Sequence, residues 1–335
     1  MSTAWYRSGH VPKMIQKWSF LNSPSLHIEV WDTTCVVHNM TKQHNNSVAG
    51  GGDSGGGSAG VASNSYHILL NPANPQLSGV SKFPYFPIGG PQPPPGFEIQ
   101  KDTHPIMGYV SQWGGMEVGN GMMFASNVVD GLVHQLGGKE LQRALQQVLE
   151  ELGVTQLQEG QAVATTAQVG TFHKTTGYQY IIHAVPPFYQ HQNNTTIIDD
   201  DSMVTTTTSE ILAETYRNAL QVATRLAPKI QQKMYSNQNH QHHDDDDNDD
   251  DDDDAFRIRI ATPLLGAGCR GFPTTVAIRV AADTLTTYSA PSGNMPKMTV
   301  AFAIPDGDIR QQLVNALNGM CDNETLINKQ FFKVK

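Results

Sequence analysis

The residues of this chain that could do chemistry fall in a few short stretches. One is Pro263 to Pro273, Pro-Leu-Leu-Gly-Ala-Gly-Cys-Arg-Gly-Phe-Pro. The apolar run before it, Phe256 to Thr262, reads as a strand, and Thr274 to Leu285 after it reads as a helix. Gly266, Gly268 and Gly271 can take positive φ and let backbone N–H groups approach a ligand closely. The helix that begins near Thr274 points its positive dipole end at the same spot. With Ala267, Cys269, Arg270 and Phe272 the turn is a candidate cradle for phosphate, although any tight strand-to-helix turn also uses glycine. Arg270 offers a planar fork that pairs with phosphate; a solvated loop arginine is the alternative. A second stretch is Asn71-Pro72-Ala73-Asn74, which ends the apolar run Tyr66 to Leu70. Asparagines at a strand's carboxyl end sit where open α/β sheets bind ligands, while Asn and Pro also form ordinary turns. The third is Asp130 and His134, four residues apart on one face where a helical segment opens. A carboxylate there accepts hydrogen bonds and takes a proton, or caps the helix. His134 reads as structural, and His183, in an apolar run, as a core histidine with its ring satisfied.

The elements that must position these residues alternate along the chain. Strands are expected at Ile28–Trp31, Tyr66–Leu70, Gln161–Thr166, Tyr178–Val185, Phe256–Thr262 and Met298–Ile304. Helices are expected at Asn127–Leu152, broken at Gly137-Gly138, at Ser209–Leu226 with Ser209 as N-cap, at Thr274–Leu285 and at Asp306–Leu317. Such alternation predicts an α/β fold with a largely parallel sheet.

Composition sets the frame. The chain has 335 residues and a net charge of −9. A single His/Asn/Asp run, Asn237 to Asp254, supplies most of the acidic excess, and nothing suggests nucleic-acid binding through a basic face. The Gly/Ser/Asn tract 45–65 has no composition for a core. His240, His242 and His243 beside aspartates read as part of a solvated spacer rather than a metal site. Residues 81–124 are rich in proline, glycine and aromatics, and Tyr109, Trp113 and Phe124 read as a lid. Cys35, Cys269 and Cys321 follow no metal or disulfide spacing, which fits a reducing compartment, cytoplasmic or nuclear. Arg7, Lys13 and Lys17, with no acid before Glu29, leave organelle targeting open. No segment is long and apolar enough to span a membrane.

Taken in order, these residues resemble the macro domain family. The Asn-Ala-Ala-Asn signature is similar to Asn71-Pro72-Ala73-Asn74. Val129-Asp130-Gly131-Leu132-Val133-His134 resembles the Val-Asp-Gly helix start. Ile182-His183-Ala184-Val185-Pro186-Pro187, Tyr216-Arg217-Asn218 and Gly266 to Pro273 resemble the later motifs. The resemblance implies a three-layer α/β/α sandwich with a mixed, largely parallel sheet. It also implies a domain over 26–318 that carries the insertions 45–65, 81–124 and 237–254, between an extension 1–25 and a tail 319–335. The implied ligand is ADP-ribose or an ADP-ribosylated protein, with no cofactor and no metal, and a monomer is expected. Asp32 would accept the adenine amino group, and the Gly266–Gly271 turn would hold the diphosphate. Asn71 would be among the ligand-binding residues, Asn74 would orient the distal ribose, and Asp130, with Asn74 the catalytic pair, would place a water for hydrolysis of a carboxylate-linked mono-ADP-ribose. The glycine run that precedes Val-Asp-Gly in the family is replaced by Met123 to Asn127, and Arg270 stands where many members carry an aromatic. A non-catalytic scaffold whose pocket is closed by 81–124 is the alternative.

Overall fold

The computed structural model describes residues 12–20, 23–33, 35–40, 65–79, 129–189, 195–199, 202–238, 257–268, 270–289, 296–320 and 326–330. The expected spacers 45–65 and 237–254, except for residue 65, which starts a strand, and residues 237 and 238, which end a helix, lie outside them, as do the aromatic stretch 81–124 with Tyr109, Trp113 and Phe124, and Cys269.

The strands are β1 (Lys13–Phe20), β2 (Ser23–Asp32), β3 (Ser65–Pro72), β4 (Ala162–Thr166), β5 (Tyr180–Ala184), β6 (Thr195–Asp199), β7 (Ser202–Thr206), β8 (Arg257–Thr262), β9 (Lys297–Ala303) and β10 (Leu326–Gln330). The helices are α1 (Val36–Asn39), α2 (Val129–Glu151), α3 (Phe172–Thr176), α4 (Thr208–Gln238), α5 (Thr274–Thr286) and α6 (Gly307–Met320). Eight strands form one mixed sheet in the order β10-β1-β2-β9-β8-β3-β5-β4, and β6 pairs with β7 as a separate hairpin. The five inner strands, β2, β9, β8, β3 and β5, run parallel, while β1, β10 and β4 are antiparallel to their neighbours.

The inner strands are apolar on both faces because both are covered, as parallel sheets require. Ile68, Leu70, Ile260, Val300 and Phe302 face one layer, formed by α4, α5 and α6. Leu69, Ile181, Ala261 and Ala301 face the other, where Val133, Leu141 and Leu145 of α2 pack with α1 and α3. The fold is thus a three-layer α/β/α sandwich. After β3 the chain turns toward β5 and β4, whereas after β8 it turns toward β9. Connections that leave neighbouring strands in opposite directions open a crevice at the strands' carboxyl ends. Asn71 to Asn74 and the Gly266 turn both lie there.

Several elements differ from the sequence expectation. Residues 13–20, assigned to an extension, form β1 and pair with β2, and residues 326–330, assigned to a tail, pair with β1. The sheet therefore begins before residue 26 and ends after residue 318. Thr207, not Ser209, caps α4: its Oγ1 accepts the Glu210 N–H at 3.2 Å, and Glu210 Oε2 accepts the Thr207 N–H at 2.6 Å. That reciprocal pair is a capping box, which satisfies both donors at once. The helix also runs through Pro228 instead of ending at Leu226. Ala223 and Ala227 before the proline and Ile230 after it keep its apolar stripe in the core, and that burial offsets the lost hydrogen bond. The break at Gly138 is present, at φ 55° and ψ −148° within α2.

Candidate functional site

Alternation along β3 decides which side chain meets which layer. Leu69 packs toward α2, so Asn71, two residues on, lies on the same face. Parallel pairing places Asn71 beside His183 of β5. Asp130 enters from the first turn of α2. Asn71 Nδ2 donates to Asp130 Oδ1 at 2.8 Å and lies 3.2 Å from His183 Nδ1. His183 Nε2 lies 2.9 Å from Thr165 Oγ1 on β4. His134, one helical turn after Asp130, brings Nε2 to 3.6 Å from Asp130 Oδ1. The result is a buried polar chain across β4, β5, β3 and α2. Asn71 and His183 are fully buried, and Asp130 is 4% exposed.

Burial sets the charges. It pushes the Asp130 carboxyl upward from its ordinary range; His134, the Asn71 N–H and the Arg270 guanidinium pull it back in part. It pushes His134 down and His183 down to about 3. All three groups therefore lean toward their uncharged forms. Asn71 Oδ1, Asp130 Oδ2 and both ring nitrogens of His134 are buried and have no hydrogen-bond partner among the described residues. An unmet buried polar atom costs about 1–3 kcal/mol, so this cluster is built for polar partners from water or ligand.

The glycine turn lies across the crevice. Gly266 and Gly271 take φ values of 85° and 73°. The turn closes on itself: Gly271 N–H donates to Gly268 O at 2.9 Å and Phe272 N–H to Gly266 O at 3.0 Å. α4 holds it from below. Leu265 N–H donates to the Tyr216 hydroxyl at 3.0 Å, and Asn218 Nδ2 donates to Gly160 O at 2.9 Å. The Tyr216-Arg217-Asn218 stretch thus supports two loops at once. Arg270 reaches from this turn to the first loop, where Nη2 donates to Ala73 O at 2.7 Å, and its guanidinium lies 4.1 Å from the Phe188 ring centroid.

The remaining expected site residues fall on the rim. Asp32, at the carboxyl end of β2, accepts from Arg310 Nη1 at 3.0 Å. Asn74 works within its own turn: Oδ1 accepts the Ser78 N–H at 3.0 Å, and Nδ2 donates to Gly79 O at 3.0 Å. Gly79, at φ 74°, lies so close to the His134 ring that an added Cβ would fall 2.5 Å from its Cγ. Asn71, Asp130, Arg270 and the Gly266 turn are therefore linked through hydrogen bonds or charge, while Asp32 stands apart across β9 and β8. Thr165 and Gly79 carry no motif in the sequence; only the sheet register and the packing of His134 bring them in. Among the described residues, no group of three or more His, Cys, Asp or Glu could hold a metal ion, and no helix is long and apolar enough to cross a membrane.

The family model for the macro domain matches residues 119–281, from ahead of Asp130 to the middle of α5. Over that span the chain matches the macro domain family. Among solved structures, the Oceanobacillus iheyensis macrodomain with ADP is 16% identical, with 94% of this chain and 100% of that one covered and a TM-score of 0.47. The Trypanosoma brucei macrodomain in complex with ADP is 14% identical, with 76% and 67% covered and a TM-score of 0.38. No curated protein matches the sequence. The matched span of the macro domain includes Asp130, His183, Tyr216 and the glycine turn; β3 with Asn71 precedes it and joins the site through the sheet.

Proposed function

We propose that this macro domain binds ADP-ribose, free or attached to a protein. The observation that carries this reading is the pairing of two unlike ligand demands in one crevice. Asn71 Oδ1 and Asp130 Oδ2 are buried acceptors without a protein donor among the described residues, and they call for hydroxyl donors. The positive start of α5, behind the Gly266–Gly271 turn, calls for phosphate. A sugar joined to a diphosphate answers both. In this pose the distal ribose faces Asn71, Asn74 and Asp130, the diphosphate lies against Gly266, Ala267, Gly268, Cys269, Arg270, Gly271 and Phe272, and the adenine points to Asp32. Calorimetric titration with ADP-ribose, with AMP as comparison, tests it. Saturable heat with ADP-ribose and much weaker binding of AMP is the expected result. Equal affinity for the two would remove the distal subsite, and no heat at all would leave the scaffold reading in its place.

Slow hydrolysis of carboxylate-linked mono-ADP-ribose is the second reading. The upward shift of Asp130 favours it, because a carboxylate that holds a proton more tightly is a better general base. Asn74, tied into its own turn, and Arg270, anchored on Ala73, argue for slow turnover, since about 1 Å of misplacement can cost a hundredfold in rate. Release of ADP-ribose from a mono-ADP-ribosylated protein is the assay.

A further inference from the structure

We propose that His183 is the positioning residue of this site: held by Thr165 with its proton on Nε2, it fixes which way the Asn71 amide faces, and so which atoms meet the ligand. The inference deepens the ligand-binding reading above and rests on it.

Asn71 Nδ2 lies 2.8 Å from Asp130 Oδ1 and 3.2 Å from His183 Nδ1. An amide nitrogen carries two N–H donors, one for each neighbour. His183 Nδ1 is then an acceptor, and the ring proton sits on Nε2, 2.9 Å from Thr165 Oγ1. The ring stays neutral because burial holds it far below its ordinary range. Turning the amide over would put its oxygen against the bare His183 Nδ1, two acceptors face to face, and would give the ligand an N–H where it now meets an oxygen. With the present orientation Asn71 Oδ1 is left as an acceptor, so this part of the site takes a hydrogen-bond donor, a hydroxyl or a water. His183 touches neither; it acts through Asn71.

Two substitutions separate this from a packing role. The side chain of His183→Asn places an oxygen where Nδ1 was and can accept from Asn71. His183→Gln places its amide where Nε2 was, fills more of the ring's volume, and leaves Asn71 without that acceptor. We expect ADP-ribose affinity within about threefold of wild type in His183→Asn and at least about tenfold weaker in His183→Gln. A packing role gives the reverse order, and that order, or equal losses in both, overturns the proposal. Two further readouts need no ligand. Nitrogen-15 NMR of the whole protein is expected to show His183 protonated on Nε2 and bare on Nδ1; the opposite tautomer overturns the proposal. The Asn71 side-chain amide protons are expected to exchange slowly in wild type and His183→Asn, and at least about tenfold faster in His183→Gln. Unchanged exchange in His183→Gln overturns it. If wild type binds no ADP-ribose while these NMR signatures hold, the ligand assignment fails and the positioning role of His183 stands. Should His183→Gln fail to fold, Thr165→Val removes the Nε2 acceptor, and the expected loss of the single tautomer is read in the same spectrum; a tautomer unmoved in that variant overturns the lock.

Discussion

Gly266→Ala is the sharpest test of how the glycine turn is built. Gly266 has a φ of 85°, and an added Cβ would lie 3.0 Å from Phe272 Cδ2 and 3.1 Å from Leu212 Cδ2. A left-handed conformation costs a residue with a Cβ about 1–2 kcal/mol. Both neighbours are fixed in the core, Phe272 at 1% exposure and Leu212 at 0%, so they give way only with strain, and overpacking of this kind costs about 1–3 kcal/mol. The expected loss is therefore about 2–5 kcal/mol, a large share of the roughly 5–15 kcal/mol that holds a domain folded. Gly153 supplies the control. Its φ is 68°, but no atom lies within 4 Å of the added Cβ, so Gly153→Ala carries the backbone term alone, about 1–2 kcal/mol. Urea unfolding of the three proteins, with midpoints compared at a common slope, measures both terms. Equal losses in the two variants would mean that Phe272 and Leu212 are not packed against the turn as described. A loss below about 1 kcal/mol in Gly266→Ala would refute the backbone conformation as well.

Further outcomes follow from the same geometry. Gly268→Val is expected to weaken ADP-ribose binding at least about tenfold, roughly 1.4 kcal/mol, by placing a β-branched side chain where backbone must approach phosphate; unchanged affinity in a folded variant would move the ligand elsewhere. Tyr216→Phe leaves the buried Leu265 N–H without its acceptor and is expected to cost about 1–3 kcal/mol in urea unfolding; a neutral result would remove the support assigned to α4. In an acid titration of stability, His27 and His183, held down to about 4 and about 3 by burial, are neutral in the fold and charge on unfolding. Their contribution is intact above about pH 6.5 and is lost as pH falls toward those values, so a flat profile from pH 7 to pH 4 would contradict their burial. Asp130 acts with the opposite sign: its raised pKa makes its contribution fully present only below the ordinary aspartate value and lost as pH rises. Asp130→Asn is expected to raise stability at pH 7 and to abolish any hydrolysis; full activity in that variant would refute a catalytic Asp130.

The inner strands were legible because fully covered parallel strands are apolar runs, and Tyr66 to Leu70, Phe256 to Thr262 and Met298 to Ile304 stand out on that ground. β1 was not legible. It pairs near the sheet's edge, and its inward positions include Gln16, a residue that in a sequence argues for the surface. In the fold Gln16 Nε2 and Trp18 Nε1 both donate to Asn318 Oδ1, at 3.0 Å and 3.2 Å. A polar residue satisfied by a partner some three hundred positions away leaves no local trace. Within the site the same division holds. Asp130 and the glycine turn could be read from helix starts and strand-to-helix spacing. The link of His183 to Asn71 depends on the register of β3 against β5, which no single stretch of sequence contains.

Arg270 has a mechanical task beside its charge. Where the resemblance leads one to expect an aromatic side chain, the flat guanidinium stacks on Phe188 instead. Unlike a ring, it also donates to Ala73 O and so ties the second loop to the first. The second loop is then held twice, by Tyr216 from the helix layer and by Arg270 from across the crevice. A substitution that removed only the charge would loosen a loop contact as well as an electrostatic one. The guanidinium also pulls down the carboxyls of Asp130 and Glu159, each of which burial pushes up. One cation thus serves the loop geometry and the charge state of Asp130 together. Lysine could not replace it without loss: a point charge on a flexible stem can answer the carboxyls, but it cannot stack on Phe188 while it donates to Ala73 in a fixed plane.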